Sequence, residues 1–318
     1  MLNRVPSIVK NRSTQLGRRA TFAFMSRRRF EPEDALLICA DPRGGSTWLA
    51  EILTRIPNTA LFWEPLNIGV APTFRNLGFR YREFIQEGTE NPDVHSAFER
   101  LFSGQYLDPY VLHRTSVRTF RQADKPLVKF CRATQLLPWL TSEFLFKRKP
   151  IHLLRHPCAV VASQMRYGAW DNVDPRLSDA EILSDPLLAP HHDVVSKIDS
   201  VEERLAAFWA AVNSVALNHP ERNQRWMTLS YEQLVQDPVS QVGAIQAEWS
   251  LEIAGSLSDL VIRPSATTLV SSPISSGSSN GQLAYWQKTL EKDQIYRILD
   301  TVEQMGVSVY GSDPMPRL

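Results

Sequence analysis

The sequence predicts an α/β domain with a central, mostly parallel sheet and helices on both faces. Five short apolar runs, residues 35–40, 60–63, 127–130, 151–154 and 226–229, read as buried parallel strands. Helical or loop stretches separate them, as crossover connections between parallel strands require. The first run passes through a glycine-containing turn into a helical segment, a strand–turn–helix unit.

In chain order, the run at 35–40 meets Asp41-Pro42-Arg43-Gly44-Gly45-Ser46-Thr47, and Trp48 opens a helical pattern with Leu49, Ile52 and Leu53 on one face. Residues 65–125 are less regular and rich in arginine and aromatics (Arg75, Phe79, Arg80, Tyr81, Arg82, Phe84), and read as an insertion that shapes an acceptor pocket. Ser178 with Glu181 and Ser200 with Glu203 have capping-box spacing, so each starts a helix. The second carries Val201, Leu205, Phe208, Trp209, Val212 and Val215 on a helical period and stops near Pro220. Residues 271–281, rich in serine and glycine, read as a flexible loop, and 283–305 as a last helical segment.

Composition narrows the function classes. With 318 residues, 43% hydrophobic and 22% charged, the chain has the make-up of a soluble globular protein with a sizeable core. No apolar run approaches the ~20 residues of a membrane span. Cys39, Cys131 and Cys158 are too few and too scattered for a disulfide framework or a zinc cluster, so the cytoplasm is the expected location. The net charge of +1 conceals an uneven distribution: residues 1–30 hold eight basic and no acidic side chains, the remainder 27 basic against 34 acidic. Residues 1–30 read as a solvated terminus, a transit peptide or an arm touching anionic lipid, and residues 31–318 as a single domain. No nucleic-acid partner is expected. The pair His191 and His192 beside Asp193 is a poor metal site, because adjacent side chains rarely converge.

The turn after the first strand carries the chemistry. It offers free backbone N–H groups at the positive end of a helix, Gly44 and Gly45 allow close approach of a ligand, Ser46 and Thr47 add hydroxyl donors, and Arg43 brings a fixed charge with a planar donor fork. An anion such as phosphate fits there, and a plain tight turn capped by Ser46 is the other reading. The segment is not a Walker loop, because Gly45 stands where that motif needs its lysine.

Pro42-Arg43-Gly44-Gly45-Ser46-Thr47-Trp48 resembles the 5′-phosphosulfate loop of sulfotransferases that use 3′-phosphoadenosine 5′-phosphosulfate (PAPS). Leu154-Arg155-His156-Pro157 and the residues to Ser163 resemble that family's 3′-phosphate segment, in which an arginine at a strand end and a serine eight residues later bind the phosphate. Ser230-Tyr231-Glu232-Gln233-Leu234 is similar to a stretch whose tyrosine lies near adenine. The run from Lys129 to Pro138 is similar to the Lys-Thr-His…Leu-Leu-Pro segment of the cytosolic branch. The four matches occur in the family's order. They imply a P-loop NTPase-like fold, PAPS as co-substrate and 3′,5′-bisphosphoadenosine (PAP) as product, without a metal. They also imply a donor site of Arg43, Gly44, Gly45, Ser46, Thr47, Trp48, Arg155, Ser163 and Tyr231. Position supports Arg155, which closes a strand at the sheet edge where open α/β sheets bind ligands.

By the same resemblance Arg43 and Lys129 stabilise the leaving phosphate. The cytosolic branch has a base histidine where this chain has Cys131, and Leu61-Phe62-Trp63-Glu64-Pro65 resembles the Phe-x-Glu-Pro stretch of carbohydrate-type enzymes. Glu64 is therefore the expected base, its pKa raised by desolvation beside Trp63, with a structural ion pair as the alternative. A small-molecule or glycan acceptor is implied, a sugar or glycolipid hydroxyl before an amine. Trp48 reads as an adenine platform or as core, His152 as core, and His156 as a phosphate contact or a solvated side chain. Arg263 and Lys288 are candidates to cover the 3′-phosphate. An ATP-dependent phosphotransferase and a non-catalytic membrane- or anion-binding module of the same fold are the rival readings.

Overall fold

The computed structural model describes residues 30–105, 108–168, 174–256 and 283–317. All five apolar runs form strands: β1 Leu36–Ala40, β2 Thr59–Trp63, β3 Lys125–Phe130, β4 Ile151–Leu154 and β5 Met227–Ser230. Every pairing is parallel, in the order β2-β3-β1-β4-β5, giving the P-loop-like α/β architecture expected. β1 is apolar throughout because both its faces are covered. Leu37 and Cys39 enter one apolar cluster, and Leu36, Ile38 and Ala40 the opposite one, the two-residue alternation of a strand between helical layers.

The helix α1, Ser46–Leu53, follows β1 directly and lays Leu49, Ile52 and Leu53 on the Leu36 face. On the other face α2, Pro92–Phe102, is capped by Asn91 and buries Val94, Phe98, Leu101 and Phe102 against Phe130, Trp139 and Trp226. Burial of each such ring stabilises the fold by about 2–3 kcal/mol. Residues 65–125 thus supply much of the core on that face, as well as the loops at its rim. A third cluster joins α3, Pro157–Arg166, to α4, Val201–Leu217, and to α7, Lys292–Gln304. Between β5 and the C-terminal region lie α5, Tyr231–Gln236, and α6, Pro238–Trp249. Both predicted capping boxes form, at Ser178 with Glu181 and at Ser200 with Glu203.

Register sets the functional edge. Trp63 and Ile38 both pair with Lys129, Ala40 with Leu153, and Leu154 with Ser230. The residues just past these positions, Glu64, Asp41, Arg155 and Tyr231, therefore leave the sheet at one carboxyl edge. β1 lies between β3 and β4, where the strand order reverses and parallel sheets open a crevice. No helix among the described residues is long and apolar enough to cross a membrane. The predicted loop at 271–281, Arg263 and residues 1–29 lie outside the described residues.

Candidate functional site

The loop from β1 to α1 is held open by two left-handed residues, Arg43 at φ 71° and Gly45 at φ 93°. A non-glycine residue costs about 1–2 kcal/mol there, so Arg43 sits in a strained turn. The Gly44 N–H closes the turn on the Asp41 carbonyl at 2.9 Å, and the Gly45 carbonyl accepts from the N–H groups of Trp48 and Leu49. Among the described residues, no backbone carbonyl accepts from the N–H of Gly45, Ser46 or Thr47. These donors face the crevice at the positive end of α1, an arrangement suited to an anion. Gly45 is fixed sterically as well: a Cβ there would lie 2.3 Å from the Tyr231 ring. A Walker-type lysine has no room at this position.

Two arginines and a serine from different elements meet the loop. Arg43 Nε donates to Ser163 Oγ at 3.0 Å, and Arg155 Nη1 donates to the Arg43 carbonyl at 2.8 Å. The Arg155 guanidinium lies 4.3 Å from the Tyr231 ring centroid, and its buried Nε has no partner. Gln164 Nε2, from the same helix as Ser163, donates to the Pro42 carbonyl at 3.0 Å. Neither Arg43 nor Arg155 joins an ion pair among the described residues. Burial, followed by the neighbouring charges of Arg155 and, more weakly, Arg166, lowers the Arg43 pKa. Cations gathered without an ion pair among the described residues suit a multiply charged anion. Trp48 is buried, edge-on to Tyr231 at 6.0 Å, with its Nε1 unpartnered.

Beside the loop lies a compact acid–base cluster. Lys129 Nζ donates to Glu64 Oε1 at 2.5 Å and to Cys131 Sγ at 3.2 Å, and the Cys131 thiol donates to the same carboxylate oxygen at 3.2 Å. Ser46 Oγ is 3.5 Å from Cys131 Sγ, which joins the cluster to the anion loop. Tyr110 OH donates to Glu64 Oε2 at 3.3 Å and accepts from Asn67 Nδ2 at 3.0 Å. Lys129 Nζ also lies 4.0 Å from the Trp63 ring centroid, an attractive cation–aromatic contact. Glu64 sits at φ 43°, pinned by its N–H on the Lys129 carbonyl at 2.9 Å. Desolvation was expected to raise its pKa. Burial does push it up, but the Lys129 charge, with hydrogen bonds from Lys129 and Cys131, outweighs burial and holds the carboxyl below its ordinary value.

Buried polar side chains brace this edge from behind. Asn213 Nδ2, on α4, donates to Asp41 Oδ2 at 2.5 Å, and Asn213 Oδ1 lies 3.0 Å from His152 Nε2. His152 is fully buried, as a core residue would be. His156 is fully buried too, so it neither faces solvent nor reaches the loop. Its Nε2 donates to the Gly311 carbonyl at 2.9 Å, its Nδ1 accepts from the Cys158 N–H at 3.2 Å, and its ring stacks on Trp286 at 4.4 Å. Its backbone N–H donates to Glu232 Oε1 at 3.0 Å, and Tyr310 OH donates to Glu232 Oε2 at 2.6 Å. The C-terminal segment thus clamps the turn that carries Arg155.

Burial pushes both His152 and His156 down to about 4, so the folded protein keeps them neutral where the unfolded chain takes up protons. Their stabilisation is complete above about pH 6.5 and is lost as pH falls toward 4. Asp41, pushed by burial up to about 7, contributes with the opposite sign over part of that interval. A variant isolates one group. In His156→Gln, about 1.5 kcal/mol of the wild-type stability change between pH 6.5 and 5 should disappear. Urea unfolding at the two pH values reads this, and an unchanged pH dependence would contradict it.

One carboxyl edge therefore gathers Arg43, Gly44, Gly45, Ser46, Thr47, Arg155, Ser163 and Tyr231, with Glu64 and Lys129 alongside. The profile of the sulfotransferase family matches residues 35–254, more than two thirds of the chain. The chain belongs to the sulfotransferase family. Three solved structures resemble this sulfotransferase. The sulfotransferase domain of the Synechococcus PCC 7002 olefin synthase is 18% identical at a TM-score of 0.49, covering 88% of this chain and 97% of that one. A mouse sulfotransferase complexed with PAP is 15% identical at 0.44, covering 91% and 89%. The sulfotransferase domain of the curacin biosynthetic pathway is 16% identical at 0.40, covering 85% and 97%. No curated protein matches the chain significantly in sequence.

Sequence reasoning missed several neighbours of the site in this sulfotransferase. Cys131 carried a signal, two residues beyond Lys129, but its role as a bridge between Lys129 and Glu64 needs the fold. Arg166, three residues past Ser163 on α3, had the helical spacing to be found. Tyr110, Asn67 and Asn213 had no local signal. Lys288 is exposed on the short helix Trp286–Thr289, and His192 pairs with Asp179 at 3.0 Å on the surface.

Proposed function

We propose that this enzyme transfers a sulfuryl group from PAPS to an acceptor hydroxyl, in a carbohydrate or glycolipid before an amine, and releases PAP. The observation that carries the reading is the convergence of Arg43, Arg155 and Ser163 on one glycine loop, beside the Lys129–Glu64 pair. Unpaired guanidinium groups, free loop N–H groups and the unpartnered Arg155 Nε fit a nucleotide with phosphate at both ends. Tyr231, against the Arg155 guanidinium, lies beside the base, and Trp48, buried in the core, backs the Tyr231 ring edge-on.

PAPS, when bound, supplies the activated sulfuryl group. Arg43 and the loop N–H groups hold the 5′-phosphate, and Arg155 with Ser163 the 3′-phosphate. The acceptor oxygen forms its bond to sulfur as the bond from sulfur to the 5′-phosphate oxygen breaks, and that oxygen keeps the electron pair. Lys129 donates to it, and Glu64 takes the acceptor proton, so catalysis rests on positioning and charge stabilisation. The pairing of Lys129 with Glu64 gives this scheme an order. Once the donor shares the Lys129 charge, the carboxylate is released as a stronger base.

Calorimetric titration with PAP, beside ATP and magnesium, tests the donor. PAP should bind at least tenfold more tightly, and radiolabel should pass from PAPS to a hydroxyl acceptor. Absence of PAP binding would overturn the reading. The phosphotransferase rival lacks its lysine, because Tyr231 fills the space beside Gly45.

A further inference from the structure

Arg132 follows Cys131 just past the end of β3. Its guanidinium lies 4.5 Å from the ring centroid of Tyr81, which is 47% exposed. The Tyr81 hydroxyl in turn covers Gly69, where an added Cβ would come within 2.8 Å of it. Two residues back, Asn67 donates to Tyr110, which donates to Glu64. Through residues 67–69 the Arg132–Tyr81 pair thus adjoins the Asn67–Tyr110 pair that holds Glu64, a continuous wall from the guanidinium to the carboxylate. Gln135 stitches the wall together: its Nε2 donates to the carbonyls of both Glu83 and Arg132, at 2.9 and 3.2 Å.

The charge on this wall is uneven. Arg80 pairs with Glu83, Arg82 with Asp185 and Arg114 with Glu51. Arg132 joins no ion pair among the described residues. Its field nonetheless reaches both Glu64 and Asp41. Both of these carboxylates are already committed, Glu64 to Lys129 and Asp41 to Asn213. A guanidinium fixed on an aromatic ring, its fork unused, is preorganised for a planar or tetrahedral oxyanion.

We infer that Arg132 recognises an acidic group on the acceptor, so that the substrates are hydroxyl compounds bearing a carboxylate or an ester sulfate or phosphate. This rests on the sulfotransferase reading of Glu64 as the residue that meets the acceptor hydroxyl. Tyr81 stacks behind the guanidinium and offers its exposed face to the body of the same acceptor.

Matched probes that differ only in one acidic group test the assignment: methyl glucuronoside against methyl glucoside, and 4-hydroxybenzoate against 4-hydroxybenzyl alcohol. Their binding to the PAP-loaded full chain is measured by calorimetry. In at least one pair the acidic member should bind about tenfold or more tightly. Arg132→Ala should abolish that preference and Arg132→Glu reverse it, while the PAP Kd stays within about twofold. Equal affinities, no binding of any probe to the PAP-loaded protein, or a preference that survives Arg132→Ala would overturn the inference. Failure of PAP itself to bind would instead sink the donor reading, and the acceptor inference with it.

Discussion

Glu64→Gln lowers the rate of sulfuryl transfer by about 10²–10⁴-fold and leaves PAP affinity within a few-fold of wild type. The amide keeps the size of the side chain and the strained left-handed backbone, and can still accept from Lys129, so the fold and the donor loop are retained. What it loses is the capacity to take a proton. The wild-type profile of kcat/KM against pH carries the complementary signature. In the free enzyme burial raises the Glu64 pKa, but Lys129 and Cys131 more than offset it, so the base stays ionised to below the ordinary value of 4.5. Activity assigned to this group is therefore present at neutral pH and falls off only as pH drops through that lowered value. Stopped assays with labelled PAPS and a thermal-unfolding control read both effects. Near-full activity in the amide variant would move the base elsewhere, with Asp41 at the same edge the next carboxylate to change.

Arg155→Ala weakens PAP binding by about 100-fold or more, because it removes a cation that joins no ion pair among the described residues and leaves the bound phosphate without its charge partner. The loss extends beyond charge. Arg155 packs on Tyr231 and donates to the Arg43 carbonyl, so it also supports the strained turn that presents Arg43. Arg155→Lys restores the charge without the planar fork and recovers only part of the affinity. Titration calorimetry with the folded variants checks both values, and a PAP Kd unchanged in Arg155→Ala would remove Arg155 from the site.

The five strands, the loop with its helix and both capping boxes were legible in the sequence, because each is written in local apolar spacing and local hydrogen-bonding residues. Strand order was not, since it depends on contacts between distant segments. The same reason explains the misreadings at the site. The Glu64 environment was judged from its neighbour Trp63, whereas the partner that decides its ionisation, Lys129, lies 65 positions away. His156 reads in sequence as a phosphate contact or a solvated side chain beside Arg155, and is buried because Trp286 and residues 310–311, more than 125 positions on, return to cover it. Residues 65–125 read as an insertion because their apolar residues lack a clean period. Phe98, Phe102 and Phe120 nevertheless fill the main cluster.

Discrimination between PAP and adenosine 5′-monophosphate probes the two-ended grip most directly, because the ligands differ only in the 3′-phosphate assigned to Arg155 and Ser163. Wild-type protein should prefer PAP by about 100-fold or more, and Arg155→Ala should collapse that ratio to within about tenfold, because PAP loses far more affinity than the monophosphate, which feels only the loosened Arg43 turn. A ratio that stays at its wild-type value in the variant would contradict the account.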